Sequence, residues 1–399
     1  MNESNYIDNN ERFGLKYNWD LIRKTYNQLG IPKEFSIFPT LPIERATYFQ
    51  LLSERAVGKT TDILLLGMVM NKIYGTKIEY IRQKDDMIKP SNAMELFKVI
   101  TSFNQGKYIE KLTDGIWNTI VYHWKHYYYA RADESGKIIE KASSSFCDVL
   151  SIDNNFNYKS SYNSPKGDLI IFDEFIGKIY PPSEFEHFLD LISTIVRKRK
   201  CAKIFMLANT ISIVSPYFKE FEVYQKIKGA KPGQSYLIHT ERGTEVFFEI
   251  LKNKETTLKA EINRMYFGFN NEAIASITGS STYAITVAQH IPKGTWPKII
   301  WDKLVIHTDI EKYRISIVRS ETLGLCVYCV PCTTIHEGDR QYINDLVYDK
   351  AFSRGMKFDK VDDILIDLFR KGRWYYDCNE TETIILNYLQ TAIANYHVI

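Results

Sequence analysis

Apolar and polar positions along the first half of the chain alternate between strand and helix rhythms. Ala46 to Leu52 is an apolar, aromatic run that reads as a strand, and Asp62 to Ile73 follows as an amphipathic stretch that reads as a helix. Lys77-Ile78-Glu79-Tyr80-Ile81-Arg82 alternates like a second strand. Leu169-Ile170-Ile171-Phe172 is a continuous apolar run, the pattern of a strand buried on both faces. Lys203 to Thr210 reads as another such strand. Between these two, Phe185, Phe188, Leu189, Ile192, Ile195 and Val196 recur at helical spacing, and the helix closes in Arg197-Lys198-Arg199-Lys200. Strands alternating with helices imply a right-handed α/β sheet.

Outside this core the pattern is looser. Residues 13–30 hold a short amphipathic helix stopped by Gly30 and Pro32, and residues 91–103 look helical. Residues 116–142 read as hairpin material, with Thr119 to Ala130 as one strand and the turn at Asp133-Glu134-Ser135-Gly136. Tyr127-Tyr128-Tyr129 in that strand reads as packing rather than as a base-stacking platform. Ser151 to Lys166 is a polar loop, and strand-like pieces at 236–239 and 246–250 end the first unit. We divide the chain into a domain at 1–250, a linker subdomain at 251–297 and a second domain at 298–399. The last holds strands at 304–307, 314–318 and 324–330 and helices at 361–371 and 381–396.

A length of 399 residues suits two or three domains of roughly 100–200 residues each. The net charge of +3 is too small for a global field that attracts nucleic acid, so any such contact must be local. No apolar stretch reaches the roughly 18 residues of a membrane span, and the polar N-terminus lacks a signal-peptide pattern. Six cysteines do not make a secreted disulfide framework, so a reducing cytoplasm is expected. Cys326, Cys329 and Cys332 are spaced like metal ligands but lie in an apolar β-rich run, which points to small buried side chains rather than a zinc site.

The candidate chemistry lies between the first strand and helix, in Ser53-Glu54-Arg55-Ala56-Val57-Gly58-Lys59-Thr60-Thr61. A glycine-containing loop between a strand and a helix N-terminus aims backbone N–H groups at a phosphate. In such a loop Lys59 reaches the β- and γ-phosphates of a nucleotide, and the Thr60 hydroxyl holds Mg²⁺. Ser53 stands where the usual pattern begins with glycine. The second element is Asp173-Glu174, which closes the apolar run from Leu169. The carboxyl end of a buried parallel strand is where α/β sheets place ligands. Asp173 is expected to meet Mg²⁺ through water, and Glu174 to orient and deprotonate the attacking water.

These motifs resemble the DNA-packaging ATPases of small podophages of the phi-twenty-nine type, relatives of terminase large subunits. Arg55 to Thr60 is similar to that family's phosphate loop, and Ile170 to Ile176 to its carboxylate strand. Ile195 to Arg199 and Leu207 to Phe218 resemble the following helix end and strand. Thr322 to Leu325 and Asp367 to Lys371 echo the C-terminal domain. The resemblance implies an α/β P-loop NTPase of the additional-strand, RecA-like class, with a small linker and a vestigial RNase H-like C-terminal domain. It implies ATP and Mg²⁺ as cofactors, a homo-oligomeric ring (a pentamer in the family), and double-stranded DNA and a viral portal or procapsid as partners. An RNA scaffold stays open. The site of action would be the host cytoplasm, at the procapsid and not in the mature virion, with no membrane involved.

By the same resemblance Arg197 is an arginine finger acting on ATP held by a neighbouring subunit, with Arg199 as the alternative. Lys159 acts between subunits, Asn209 senses the γ-phosphate, and Lys84 faces DNA. The second domain's strands 314–318 and 325–330 carry no Asp or Glu that could share a two-metal site, so no nuclease activity is expected. Two other readings of the same residues remain: a different P-loop enzyme such as a helicase or nucleotide kinase, and a nucleotide-binding scaffold that does not hydrolyse.

Overall fold

In the computed structural model, residues 16–32, 36–53, 58–102, 107–154, 162, 164–177, 184–209, 215–227, 230–252, 297–308, 311–343, 353–354 and 360–396 are described. They form two compact units, one built on a ten-stranded sheet and the other on a six-stranded sheet. The linker expected at 251–297 lies outside the described residues except at its ends.

The first unit opens with helix α1 (Trp19–Asn27), capped by the Asn18 side chain. Strand β1 (Tyr48–Ser53) leads to helix α2 (Lys59–Tyr74) and strand β2 (Lys77–Arg82). Ile63 to Met70 in α2 are all buried, so this helix is apolar all round and lies in the core rather than on its surface. Gly67 lets α2 approach the sheet closely: a Cβ there would sit 2.5 Å from Ile78 and 2.8 Å from Leu169. A buried carboxylate, Asp62, ties the first turn of α2 to the preceding chain. It accepts from the backbone N–H groups of Ile37 and Phe38, both at 2.8 Å, and from the Tyr26 hydroxyl.

Strands β3 (Thr119–His123), β4 (His126–Ala132) and β5 (Ile138–Lys141) form antiparallel ribbons. The single strand expected over Thr119–Ala130 is therefore two. The break falls at Trp124 and Lys125, with φ of 51° and 66°. Both residues of this tight turn are left-handed, a geometry normally signalled by Asn-Gly, so the composition of the run concealed it. Tyr127 and Tyr129 are buried, in keeping with their reading as packing. Strand β6 (Cys147–Ser151) was not foreseen, because its buried Asp148 interrupts the apolar pattern.

Strand β7 (Gly167–Asp173), helix α3 (Glu184–Val196) and strand β8 (Lys203–Asn209) follow, then the hairpin β9 (Ser235–His239) and β10 (Glu245–Ile250). The order is β3-β4-β6-β2-β7-β8-β1-β10-β9, with β5 on β4. The segment from β6 to β10 is parallel throughout, and the flanking ribbons are antiparallel.

In the second unit, β11 (Lys298–His307), β12 (Lys312–Ser320) and β13 (Gly324–Pro331) form an antiparallel meander. Strands β14 (Arg340–Ile343) and β15 (Ser353–Arg354) add parallel to β11, and β16 (Trp374–Tyr376) adds parallel to β13. Helices α4 (Lys360–Arg370) and α5 (Asn379–Tyr396) complete it. Cys326 and Cys329 are buried on β13, and burial pushes both thiols up. Among the described residues no helix is long and apolar enough to cross a membrane.

Candidate active site

Side chains alternate across a strand, so register decides which residues share a face. Ser53 pairs with Asn209, and Asp173 pairs with Leu207, two residues before Asn209. Ser53, Asn209 and Asp173 therefore lie on one face, each at the last position of its strand. Ile81 pairs with Phe172, which brings Arg82, the last residue of β2, beside Asp173 on that same face. These are the carboxyl ends of four adjacent parallel strands, where this architecture places its ligands.

Helix α2 starts over that edge. Its N-cap is Gly58 at φ 84°, a left-handed conformation that costs a residue with a Cβ about 1–2 kcal/mol. The Lys59 ammonium donates to the Ser53 hydroxyl at 2.6 Å and to Asn209 Oδ1 at 3.2 Å. The Thr60 hydroxyl lies 3.2 Å from both carboxylate oxygens of Asp173. Lysine and threonine from the loop side thus meet asparagine and aspartate from the sheet side. Residues 54–57 of the expected phosphate loop lie outside the described residues, as does Lys159.

Two further side chains hold Asp173. The Tyr80 hydroxyl donates to Asp173 Oδ2 at 2.7 Å. Burial, with the Asp173 charge added, pushes that phenol far above its ordinary range, so it remains a donor. Arg82 places Nη1 3.4 Å from Asp173 Oδ2 and Nη2 3.2 Å from Glu174 Oε2. The motif reading did not bring Tyr80 to this site, and it set Arg82 with Lys84 toward a pore-facing loop, because their approach to Asp173 depends on a strand pairing across about ninety residues of sequence. The alternation in Lys77–Arg82 was the available signal.

Glu174 takes φ 57°, left-handed for a residue with a Cβ. Such strain costs about 1–3 kcal/mol and gathers at functional sites. Here it turns the carboxylate out of the strand line to a half-exposed position beside Arg82.

The two candidate arginines part company. Arg199 is buried: its Nε lies 2.6 Å from Asp168 Oδ1, and its Nη2 donates to the carbonyls of Gly167 and Ile195. Arg197 also has a positive φ, 51°, just past the end of α3, and its side chain is exposed. Lys84 is exposed on the loop after β2. Thr60 and Asp173 offer a hydroxyl and a carboxylate side by side, hard oxygen donors of the kind Mg²⁺ takes.

A family model of podovirus DNA encapsidation proteins (Gp16) matches residues 148–235. The chain is similar to those proteins. The matched segment runs from β6 to the start of β9 and so contains Asp173, Glu174, Arg197 and Asn209. Among solved structures, the phage Phi-29 viral genome packaging motor assembly is 16% identical over 90% of this chain and 99% of that one, with a TM-score of 0.50. The Phi-28 gp11 DNA packaging motor is 19% identical over 90% and 98%, at 0.49. The large terminase ATPase domain of Thermus phage P74-26 is 13% identical over 66% and 93%, at 0.32. At these identities likeness speaks to fold, and the Phi-29 motor shares the mixed α/β architecture with its large mixed sheet. No curated protein sequence matches the chain. Of the motifs that carry the resemblance, Ile170–Ile176, Ile195–Arg199 and Leu207–Phe218 lie within the matched stretch, whereas Arg55–Thr60, Thr322–Leu325 and Asp367–Lys371 lie outside it.

Proposed function

We propose that this chain is the ATP-hydrolysing subunit of a ring motor that drives double-stranded viral DNA into a procapsid. The observation that carries the reading is the meeting of Lys59, Thr60, Asp173 and Asn209 at the strand ends. In this reading Lys59 binds the β- and γ-phosphates and, through Asn209, links them to β8. Thr60 and Asp173 would hold Mg²⁺, which when bound offsets charge on the phosphate oxygens. Glu174 orients the attacking water and accepts its proton. Its pairing with Arg82 holds the carboxylate at the strand ends beside Asp173. Arg197, exposed, acts on the neighbouring subunit's nucleotide, while the burial of Arg199 suits it to structure. Lys159 joins Arg197 at that interface, and Lys84 contacts DNA.

The domain layout 1–250, 251–297 and 298–399 belongs to the same proposal. The second unit's order is β16-β13-β12-β11-β14-β15, and within it the meander β13-β12-β11 followed by strands parallel to β11 supports its reading as RNase H-like. The lack of Asp or Glu in 314–318 and 325–330 supports a domain without nuclease activity.

ATP turnover measured with and without duplex DNA and empty procapsids tests the reading. Turnover should rise when both are present, and Glu174→Gln should keep ATP binding while kcat falls by roughly 10²–10⁴-fold. Unchanged turnover in Glu174→Gln would sink the assignment. Turnover stimulated by nucleosides but not by DNA would favour a kinase.

A further inference from the structure

We infer that Tyr162 is a positioning residue for Arg197, holding the exposed guanidinium through a chain of contacts anchored in the buried sheet. The inference rests on the reading of Arg197 as a residue that acts on a neighbour's nucleotide.

Among the described residues the Arg197 side chain makes two hydrogen bonds within its own subunit. Its Nε lies 3.3 Å from the Thr194 carbonyl, three residues back along α3. Its Nη2 donates to the Tyr162 carbonyl at 3.0 Å. The first contact belongs to the helix end and leaves the outer end of the guanidinium undirected. The second ties that end to another part of the fold, 35 residues away in sequence.

Tyr162 is in turn anchored by its phenol. The hydroxyl donates to Glu79 Oε2 and lies 3.2 Å from Asp148 Oδ2. The Ser164 hydroxyl donates to the other Glu79 oxygen. Glu79 and Asp148 are register partners on β2 and β6, so both stand on the same face. Asp148 is gripped by Lys77 at 2.8 Å, His126 at 2.7 Å and Ser145 at 2.8 Å. Gly167 makes room for this cluster, since a Cβ there would lie 2.4 Å from Glu79 Oε1. Glu79 is fully buried and Asp148 nearly so. Hydrogen bonds to the ionised Asp148 carboxylate in such surroundings are among the stronger ones. The anchor is therefore rigid relative to a long surface side chain, whose rotamers are otherwise free.

The cluster lies on the opposite face of the sheet from the phosphate site. Glu79 pairs with Ile170, three residues before Asp173, and an odd separation along a strand reverses the face. Loosening Tyr162 should thus leave its own subunit's nucleotide site intact and impair only what that subunit offers its neighbour. A general loss of folding would not have this signature.

The test uses full-length chains assembled on procapsids with duplex DNA. Tyr162→Phe keeps the ring and deletes the hydroxyl. It should lower kcat by roughly 10- to 100-fold, the scale of a misplacement of about 1 Å, with KM for ATP within twofold of wild type. Mixing Tyr162→Phe with Glu174→Gln subunits should raise turnover above the sum of the two alone, because Glu174→Gln subunits still present a well-held Arg197. Should Tyr162→Phe fail to fold, the double variant Glu79→Leu with Asp148→Asn removes the nearer acceptor and the charge of the other, and a loss of kcat with the same rescue is expected. Glu79→Gln, which keeps an acceptor, should retain most of the kcat. Wild-type kcat in a folded Tyr162→Phe or in the folded double variant, alongside a large loss in Arg197→Ala, overturns the positioning role and leaves the trans reading standing. Wild-type kcat in Arg197→Ala itself overturns the trans reading.

Discussion

Arg197 and Arg199, two residues apart at the end of one helix, should fail in opposite ways when replaced. Arg199 sits in the core with a side chain 4% exposed, and its partner Asp168 is 0% exposed. Asp168 also accepts from the Tyr17 hydroxyl at 2.7 Å, so Arg199→Ala leaves a buried carboxylate with a neutral donor in place of a guanidinium at 2.6 Å. Breaking a buried pair by deleting one partner costs about 3–5 kcal/mol. A unit of this size loses about 2–4 °C of melting temperature per kcal/mol, so the transition should fall by roughly 6–20 °C. Arg197→Ala removes an exposed side chain whose partners are backbone carbonyls, so stability should change by no more than about 0.5 kcal/mol. Its effect should appear in turnover instead, by roughly 10³–10⁵-fold if the guanidinium offsets charge on the transferred phosphoryl group. Thermal unfolding followed by tryptophan fluorescence, beside ATP turnover on procapsids, separates the two. The reasoning fails if Arg199→Ala melts with wild type, or if Arg197→Ala melts as low as Arg199→Ala does.

Two other outcomes follow from the core. Gly67→Ala would gain about 1 kcal/mol of helix propensity, yet its methyl would meet the fully buried Ile78 side chain at 2.5 Å. Overpacking should prevail by about 1–3 kcal/mol, read as a lower denaturation midpoint with unchanged slope, and a higher midpoint would refute the close packing of α2 on β2. Burial, reinforced by the Asp148 charge, pushes the Glu79 carboxyl from 4.5 up to about 8. Between those values the folded chain keeps a proton that the unfolded chain has released, so the stability this site contributes is full below pH 4.5 and is lost as pH rises through about 8. The slope should approach about 1.4 kcal/mol per pH unit within that window and flatten in Glu79→Gln. A wild-type profile in the variant would mean that Glu79 is not the group responsible. Asp148 acts in a different window. Its burial is more than offset by His126, Lys77 and Ser145, which bring it down to about 2, so its contribution is lost only as pH falls from 3.8 through that value.

What the chain encodes locally could be read without a structure. Apolar runs of strand length at 46–52, 77–82, 169–172 and 203–210, a helical recurrence from Phe185 to Val196, and Gly58-Lys59-Thr60 before a helix depend on near neighbours alone. The reason is that backbone hydrogen bonding and side-chain direction repeat over two to four residues, so a short window carries the pattern. Strand pairing has no such window. That Ser53, Asn209, Asp173 and Arg82 share one face was decided by register between segments separated by as many as 156 positions. That Glu79 and Asp148 share the other face was decided in the same way. Arg197 and Arg199 look alike as letters; burial against Asp168 on a strand about thirty residues earlier made one a core ion pair and left the other at the surface. Trp124 and Lys125 carry no turn signature, and only the pairing of β3 with β4 imposed one.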